Sequence, residues 1–244
     1  MPRSPNADKP VEVLRFDLIE RAAHWLTALL VLVLIVTGAI LYVPTFSVAV
    51  GRRLLIEDIH IYAGLAVFAP LAVSIAGPWG RMLRRDLVAM NRMSKSELAW
   101  LWSLGRQGRA AIGKFNPGQK LNTFAVGGLL TVLLVTGLIL RWGNFFSVSW
   151  RTSATFVHDW FALAITAVVL GHVAFALTHP AALRSMFTGR VTARWAKKHA
   201  PAWALKPRNG VREQERGSPG APEGMPVTNP NEATDGTPAE LSSS

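Results

Sequence analysis

Four long apolar stretches dominate the pattern of hydrophobic and polar positions along the chain. They cover residues 25–43, 61–79, 123–142 and 156–178. Each provides roughly the 20 residues that an α-helix needs to cross a hydrocarbon core, and their only charged residues, Arg141 and Asp159, lie near an end. The pattern predicts four transmembrane helices, numbered one to four. The first is longer than the apolar part of a secretory signal peptide, so we expect it to be retained.

Basic residues surround these stretches and predict the orientation of the chain. They collect before helix one, between helices two and three, and after helix four. By the positive-inside rule, both termini and the long middle loop are cytoplasmic. The formal charge of +11 therefore indicates anionic lipid and membrane topology, and we expect no nucleic-acid partner.

The pattern divides the chain into three parts. Residues 1–22 form a cytoplasmic N-terminal segment, residues 23–200 form the four-helix domain with a cytoplasmic loop at about 80–121, and residues 201–244 form a tail. The tail is rich in Pro, Gly, Ser and Glu and contains few large apolar residues, so we expect it to be disordered.

The middle loop contains the signature of a further helix. Ser94 and Glu97 have capping-box spacing, and an apolar, aromatic segment follows. We expect this helix to lie on the cytoplasmic membrane surface. The predicted fold is thus an all-α membrane protein, a four-transmembrane-helix bundle with a cytoplasmic interfacial helix and a disordered C-terminal tail.

An internal repeat relates the first and second halves of the bundle. The run Leu-Ile-Val-Thr-Gly-Ala-Ile-Leu at residues 34–41 reappears, one residue shorter, at residues 134–140. His60 stands 22 residues after Gly38, and His158 stands 21 residues after Gly137. This pattern predicts a duplicated two-helix hairpin with a pseudo-two-fold axis along the membrane normal, although apolar helices also resemble one another by chance.

Four of the six histidines, His24, His60, His158 and His172, lie in or at the ends of the predicted helices. Ionisable groups are costly there and usually functional. The predicted topology places His24 and His172 at the inner level and His60 and His158 at the outer level. On helix four, 14 residues separate His158 from His172, which corresponds to about 21 Å of rise and about 40° of rotation. One side of helix four therefore presents a histidine at each level.

Pairing by depth joins His60 with His158 and His24 with His172. Imidazoles from opposing helices can supply both axial ligands of a six-coordinate haem iron, which suits electron transfer, so the pattern predicts two b-type haems. Zinc fits less well, because two imidazoles fill only half of a tetrahedral site. Interhelical hydrogen bonds or an interfacial position are the simpler alternative for any single histidine.

The remaining candidates have less specific signals. Gly38 and Gly137 lie at the outer level, where a missing side chain would admit a haem plane or allow close helix packing. His179 and His199 are assigned surface roles. The chain has no cysteine, which excludes disulfides, thiolate-held iron–sulfur clusters and thioether-attached haem within it.

Several motifs resemble the gamma subunit of membrane-bound formate dehydrogenase and the related prokaryotic cytochrome b561 group, over roughly residues 13–200. The matching elements are Arg-Ala-Ala-His-Trp at 21–25, Thr-Gly at 37–38, His60, Gly-Lys-Phe-Asn-Pro-Gly-Gln-Lys at 113–120, the spacing of His158 and His172, and Thr-His-Pro at 178–180. The 116–120 region is the most specific to the formate dehydrogenase branch. Cytochrome b subunits of hydrogenases share the histidine pattern.

The resemblance implies a bacterial inner-membrane subunit that transfers electrons and reduces quinone without oxidising formate itself. It implies an iron–sulfur beta subunit and a molybdenum or tungsten catalytic alpha subunit as partners, and menaquinone or ubiquinone as acceptor. His60 and His158 would hold the first haem to receive electrons and His24 and His172 the second.

The resemblance also implies that Asn116, Gly118, Gln119 and His172 border the quinone. Asn and Gln amides can donate to a quinone carbonyl and Gly118 permits close backbone approach, but a simple Asn-Pro-Gly turn explains the same residues. Pro117 stands where the family has Ala. Two alternative functions remain. The chain is a cytochrome b subunit of a hydrogenase or another reductase, or it is a haem-free membrane anchor or transporter whose histidines form proton relays.

Overall fold

The computed structural model describes residues 10–205, and these residues are helical apart from turns, loops and one pair of short strands. In chain order the elements are β1 (Glu12–Leu14), α1 (Leu18–Tyr42), α2 (Pro44–Val50), α3 (Arg53–Ala66), α4 (Ala69–Ala76), α5 (Arg81–Met90), α6 (Lys95–Trp102), α7 (Pro117–Arg141), α8 (Val148–Leu177), α9 (Pro180–Thr188), β2 (Arg190–Thr192), α10 (Ala193–His199) and α11 (Pro201–Ala204). Short 3₁₀ turns occupy Arg109–Ala111 and Gly143–Phe145.

Four segments of this fold are long and apolar enough to cross a membrane. They are α1, α3 together with α4, α7 and α8, called spans 1 to 4. Their number and order confirm the predicted architecture. At most 17% of the most apolar window of any span is buried inside the protein. This exposure fits helices whose surrounding solvent is lipid.

The spans begin earlier than their apolar stretches because their first turns are polar. Span 1 begins at Leu18, where the Asp17 carboxylate accepts a hydrogen bond from the Glu20 backbone N–H at 2.8 Å. The Glu20 carboxylate in turn accepts from the Asp17 N–H at 2.9 Å, which completes a capping box. Hydrophobicity alone does not report such capped polar turns.

Span 2 is interrupted in its middle, where the sequence predicts a continuous helix. Helix α3 ends at Ala66 and α4 begins at Ala69. Pro70 lacks a backbone N–H, and its ring clashes with the carbonyl four residues earlier, that of Ala66. The break therefore lies next to the residue whose chemistry disfavours a continuous helix.

Each span contributes to the apolar layer at the centre of the bundle. The layer consists of Val31, Val67, Leu130 and Ile165. Span 1 packs most extensively against span 2, and span 3 against span 4, as expected for two hairpins. Ile165 stands seven residues from both His158 and His172. The apolar layer therefore separates the two levels at which the sequence places histidines.

The segments before span 1, between spans 2 and 3, and after span 4 meet at one end of the bundle, called the connector end. The opposite end, with the short connections inside each hairpin, is called the hairpin end. At the connector end β1 pairs antiparallel with β2, and Val13 lies opposite Val191. No strand is predicted from the sequence, because three-residue strands leave almost no periodic signal.

The first residues of the predicted tail are also ordered at the connector end. Pro201–Ala204 form a helical turn, and Trp203 is only 8% exposed in a cluster with Val13 and Ala196. The rest of the predicted disordered tail, residues 206–244, lies outside the described residues, as do residues 1–9.

Helix α6 forms where the capping-box spacing predicts a helix. The Ser94 hydroxyl accepts a hydrogen bond from the Glu97 N–H, and the Glu97 carboxylate accepts one from the Ser94 N–H. Trp102 and Leu104 at its end are 88% and 87% exposed. These side chains could insert among lipids, and the placement of α6 on the membrane surface stays a prediction.

Candidate functional site

Two histidines from different hairpins meet toward the hairpin end. His60 comes from α3 and His158 from α8, and their ring centres lie 6.3 Å apart with the ring planes inclined by 67°. This is the pair that the sequence assigns to the outer level. We call it the outer pair.

A second pair forms toward the connector end. His24 of α1 and His172 of α8 have ring centres 6.5 Å apart and planes inclined by 48°. We call it the inner pair. The structure thus brings together the histidines that depth and helical rotation predict as partners, while their role as iron ligands stays a prediction.

The separation within each pair matches the space that one metal ion requires. Two metal–imidazole bonds of about 2.0 Å, together with about 1.1 Å from each nitrogen to its ring centre, would place the ring centres about 6.2 Å apart. The observed values are 6.3 and 6.5 Å. In residues 10–205 no group of three or more His, Cys, Asp or Glu could hold a metal. Each pair thus offers two imidazoles at a separation that one metal ion between them would require.

Two threonines, for which the sequence pattern predicts no role, contact the outer pair. Thr37 Oγ1 lies 2.8 Å from His60 Nδ1, and Thr136 Oγ1 lies 2.9 Å from His158 Nδ1. Both threonines belong to the internal repeat. The recurrence of Thr-Gly in both halves is the sequence signal that could have identified them.

The repeat-related glycines lie beside the same rings. A Cβ atom on Gly38 would be 3.4 Å from His60 Cε1, and one on Gly137 would be 3.5 Å from His158 Cε1. A methyl group at either position would therefore make ordinary van der Waals contact with the ring, and a larger side chain would press against it. Equivalent contacts in both hairpins support the predicted duplication at the level of individual side chains.

Three of the four residues predicted to border a quinone, Asn116, Gly118 and Gln119, lie at the start of span 3, whereas the fourth, His172, lies in span 4. The Asn116 side-chain oxygen accepts from the Gln119 N–H at 2.8 Å, and the Gln119 side-chain oxygen accepts from the Asn116 N–H at 3.0 Å. Pro117 occupies the first helical position, where its fixed φ is favourable. A Cβ atom on Gly118 would lie 3.3 Å from the Asn116 oxygen. The capping box uses both oxygens and leaves both amide nitrogens as donors.

A cluster of buried charges lies at the connector end near the start of span 1. Lys114 donates to Glu20 at 3.0 Å and also contacts Asp86. Arg15 donates to the Lys114 carbonyl at 3.4 Å. Burial lowers the pKa of Arg15 to about 10, although Asp86 and Glu20 act to raise it, so Arg15 is protonated at neutral pH. These four residues, called the charge cluster, contain two formal positive and two formal negative charges.

A separate ion pair fastens α6 to span 3. Lys120 donates to Glu97 at 2.6 Å and to the Arg92 carbonyl at 2.7 Å. Burial acts to raise the pKa of Glu97, but hydrogen bonds from Lys120 and the Ser94 backbone outweigh it and hold that pKa below its usual value. With the charge cluster, this pair holds the middle connection against the connector end of the bundle.

The other two described histidines have local aromatic partners. The His179 ring stacks on Phe175 with 4.2 Å between ring centres, and the His199 ring stacks on Trp195 at 5.0 Å. Burial and the nearby Lys198 lower the pKa of His199. These contacts make both residues useful controls for the paired histidines.

The chain is similar to several cytochrome b556 subunits of formate dehydrogenases. The chain is 25% identical over 219 residues to the nitrate-inducible formate dehydrogenase cytochrome b556(Fdn) subunit of Escherichia coli K12, covering 84% of this chain and 97% of that protein. It is 26% identical over 202 residues to the formate dehydrogenase cytochrome b556(fdo) subunit of the same organism, covering 78% and 91% respectively. The formate dehydrogenase cytochrome b556 subunit of Haemophilus influenzae is 25% identical over 203 residues, covering 78% and 82%.

The family comparison covers all four spans and both histidine pairs. Residues 15–189 match the family described as prokaryotic cytochrome b561. Membership of a cytochrome b family implies haem b as the cofactor, which agrees with the spacing of the paired imidazoles. The chain belongs to the prokaryotic cytochrome b561 family.

Proposed function

We propose that this chain is the dihaem cytochrome b subunit of a respiratory formate dehydrogenase and carries electrons from an iron–sulfur subunit to a quinone. The observation that carries the proposal is the presence of two histidine pairs, each spaced for one metal, on either side of an apolar layer. The names and extensive coverage of the similar proteins support the choice of formate dehydrogenase.

Each histidine pair has a separate place in this proposal. His60 and His158 would hold the outer haem, and His24 and His172 would hold the inner haem. Bound haem b supplies a one-electron couple without an open coordination position. The apolar layer of Val31, Val67, Leu130 and Ile165 would exclude water between the two levels. These residues thus arrange two redox centres along span 4, whose paired histidines are separated by about 21 Å of helical rise.

Quinone reduction would take place at the connector end. Asn116 and Gln119 have amide nitrogens that can donate to a quinone carbonyl while their oxygens cap span 3. His172 of the inner pair and Gly118 complete the proposed quinone border. The basic residues of the connecting segments support a cytoplasmic location for this end and for both termini. Protons for the quinone would then come from the cytoplasm.

The electron donor would dock at the outer, hairpin end. The chain has no cysteine, so the iron–sulfur clusters and formate chemistry must belong to other subunits. We propose an iron–sulfur beta subunit as direct partner and a molybdenum or tungsten alpha subunit as the site of formate oxidation. Electron movement inward across a bacterial inner membrane would work against about 2.3 kcal/mol per charge for each 100 mV.

Copurification distinguishes this donor from other reductases. A tagged chain expressed with its native neighbours should retain a subunit with formate-oxidising activity, and formate should reduce its haem absorption bands. Reduction by hydrogen without reduction by formate would assign the chain to a hydrogenase instead. Absence of haem bands in the assembled complex would favour an anchor or transporter.

Histidine variants test the assignment of the two centres. His60→Ala or His158→Ala should remove one haem per chain, and His24→Ala or His172→Ala should remove the other. His179→Ala is the matched control, because it deletes an imidazole that stacks on Phe175 outside the pairs. Equal haem contents in all five variants would contradict the proposed ligands.

A further inference from the structure

The contacts of Thr37 determine which ring nitrogen of His60 carries the proton. Thr37 Oγ1 lies 2.6 Å from the Val33 carbonyl oxygen and 2.8 Å from His60 Nδ1. The Leu34 carbonyl oxygen also lies 3.3 Å from Thr37 Oγ1, and carbonyls can only accept, so the short contact to Val33 favours a Thr37 hydroxyl proton that points to these carbonyls. In that arrangement the threonine oxygen accepts a hydrogen bond from His60 Nδ1–H.

The second hairpin repeats this arrangement. Thr136 Oγ1 lies 2.8 Å from the Val132 carbonyl oxygen and 2.9 Å from His158 Nδ1. The same reasoning places the proton of His158 on Nδ1. In both residues of the outer pair, Nε2 therefore has the free lone pair that a metal ligand requires.

Both threonine hydroxyls are shielded from solvent. Thr37 and Thr136 are only 5% and 7% exposed, and both lie within spans. Water is scarce in the hydrocarbon region, so a ring N–H that lost its threonine would depend on another acceptor within the protein, such as the Leu133 carbonyl beside His158. Gly38 and Gly137 lie beside the edges of these rings and place no side chain against them.

The inner pair differs from the outer pair in this respect. Within residues 10–205, the structure shows no side-chain hydroxyl bonded to His24 or His172. A hydrogen bond from the non-coordinating N–H of a ligand histidine makes the ring a stronger electron donor to its metal. Stronger donation stabilises ferric iron over ferrous iron and lowers the midpoint potential.

We infer that Thr37 and Thr136 are positioning residues that fix the tautomer of the outer histidines and lower the midpoint potential of the outer haem relative to the inner haem. This inference rests on the proposed function, because it requires haem between His60 and His158. It adds a physical reason for the direction of electron flow. Electrons would move from the lower-potential outer centre to the higher-potential inner centre.

The test replaces each threonine by the nearly isosteric valine. Thr37→Val and Thr136→Val keep the shape of the side chain and remove the acceptor, whereas Thr37→Ser keeps the hydroxyl. Thr166→Val is the matched control, because Thr166 bonds to the Ala162 carbonyl at 2.7 Å within span 4 without a histidine partner. The measurements are haem content and spectroscopic redox titration of both haems in the purified complex.

We expect each valine variant to shift the outer midpoint upward while the inner midpoint stays unchanged. Loss of a second-shell hydrogen bond typically changes metal affinity by about tenfold or more. A tenfold change in the preference for ferric over ferrous iron corresponds to about 59 mV for one electron. Thr37→Ser should restore the original potential. Selective loss of the outer haem in the valine variants, with the serine variant and Thr166→Val retaining it, would also support positioning.

Two results would overturn the inference in distinguishable ways. If the wild-type chain holds two haems and the valine variants shift neither midpoint more than Thr166→Val does, the threonines have no tuning role and the proposed function stands. If the wild-type chain holds no haem at the outer pair, the ligand assignment and this inference both fail.

Discussion

Replacing Lys114 with methionine should destabilise the connector end strongly. Lys114 is the cation that contacts Glu20 of α1 and Asp86 of α5, and its side chain is only 6% exposed. Methionine has a similar length and removes the charge while Glu20 and Asp86 remain buried. Only Arg15 would then be left to balance two carboxylates.

The expected loss in the free energy of unfolding follows from the burial of the charges, not from the number of contacts that Lys114 makes. Removing one partner of a buried ion pair costs about 3–5 kcal/mol, since the remaining charge is uncompensated. At about 2–4 °C per kcal/mol for a chain of this size, the melting temperature should fall by about 10 °C. Exposed Lys95 at the start of α6 provides the control, since surface substitutions usually stay within about 0.5 kcal/mol.

Thermal unfolding of the purified full chain in detergent measures this difference. Lys114→Met and Lys95→Met should be heated under identical conditions, and the soluble, monodisperse fraction measured by size-exclusion chromatography. If the thermal midpoints of the two variants agree within 2–3 °C, roughly 1 kcal/mol on the same scale, the charge cluster does not stabilise the packing of the middle connection against the bundle.

Two further predictions concern the ion pair on α6 and the glycine beside the outer pair. The pKa of Glu97 is depressed in the folded chain, so its pairing with Lys120 should stabilise the fold fully above the unfolded value of 4.5 and lose that effect as pH falls through the lower folded value. The thermal midpoint of the wild type should therefore fall between pH 6 and pH 3, and the midpoint of Glu97→Gln should fall less. An equal fall in both proteins would contradict the stabilising role of the pair. Gly38→Val should reduce outer haem content because its Cβ would already lie 3.4 Å from the His60 ring, whereas Gly128→Val adds a side chain where no atom lies within 4 Å. Haem quantitation compares the two valine variants, and equal haem loss in Gly38→Val and Gly128→Val would show that the space beside His60 does not matter for haem binding.

The histidine pairs could be predicted from sequence because their geometry depends on simple helical parameters. The apolar stretches give the direction of each helix, and the 14-residue separation of His158 and His172 places them on one side of span 4. His60 and His24 then have one partner each at matching depth. The structure shows both pairs, with 6.3 and 6.5 Å between ring centres.

Contacts between distant polar side chains could not be predicted in the same way. Thr37 contacts His60 across two helices, and nothing in local periodicity distinguishes it from Thr131, which bonds only within its own helix in the structure. The cluster around Lys114 joins residues 94 and 28 positions apart. Such partners depend on how the connecting segments fold over the end of the bundle.

The break in span 2 has a different origin. Pro70 is visible in the sequence, but a proline inside an apolar stretch can bend a helix or divide it. In the structure α3 and α4 both pack against span 1, one on each side of the break. The sequence therefore predicts the span, and the structure determines its interruption.

Haem stoichiometry tests the central claim most directly. The measurement is the dithionite-reduced minus oxidised spectrum of the purified chain, with pyridine haemochrome quantitation of haem per polypeptide. We predict two b-type haems for the wild type and one each for His60→Ala and His24→Ala. A fully assembled wild-type protein without haem would contradict the assignment of both histidine pairs.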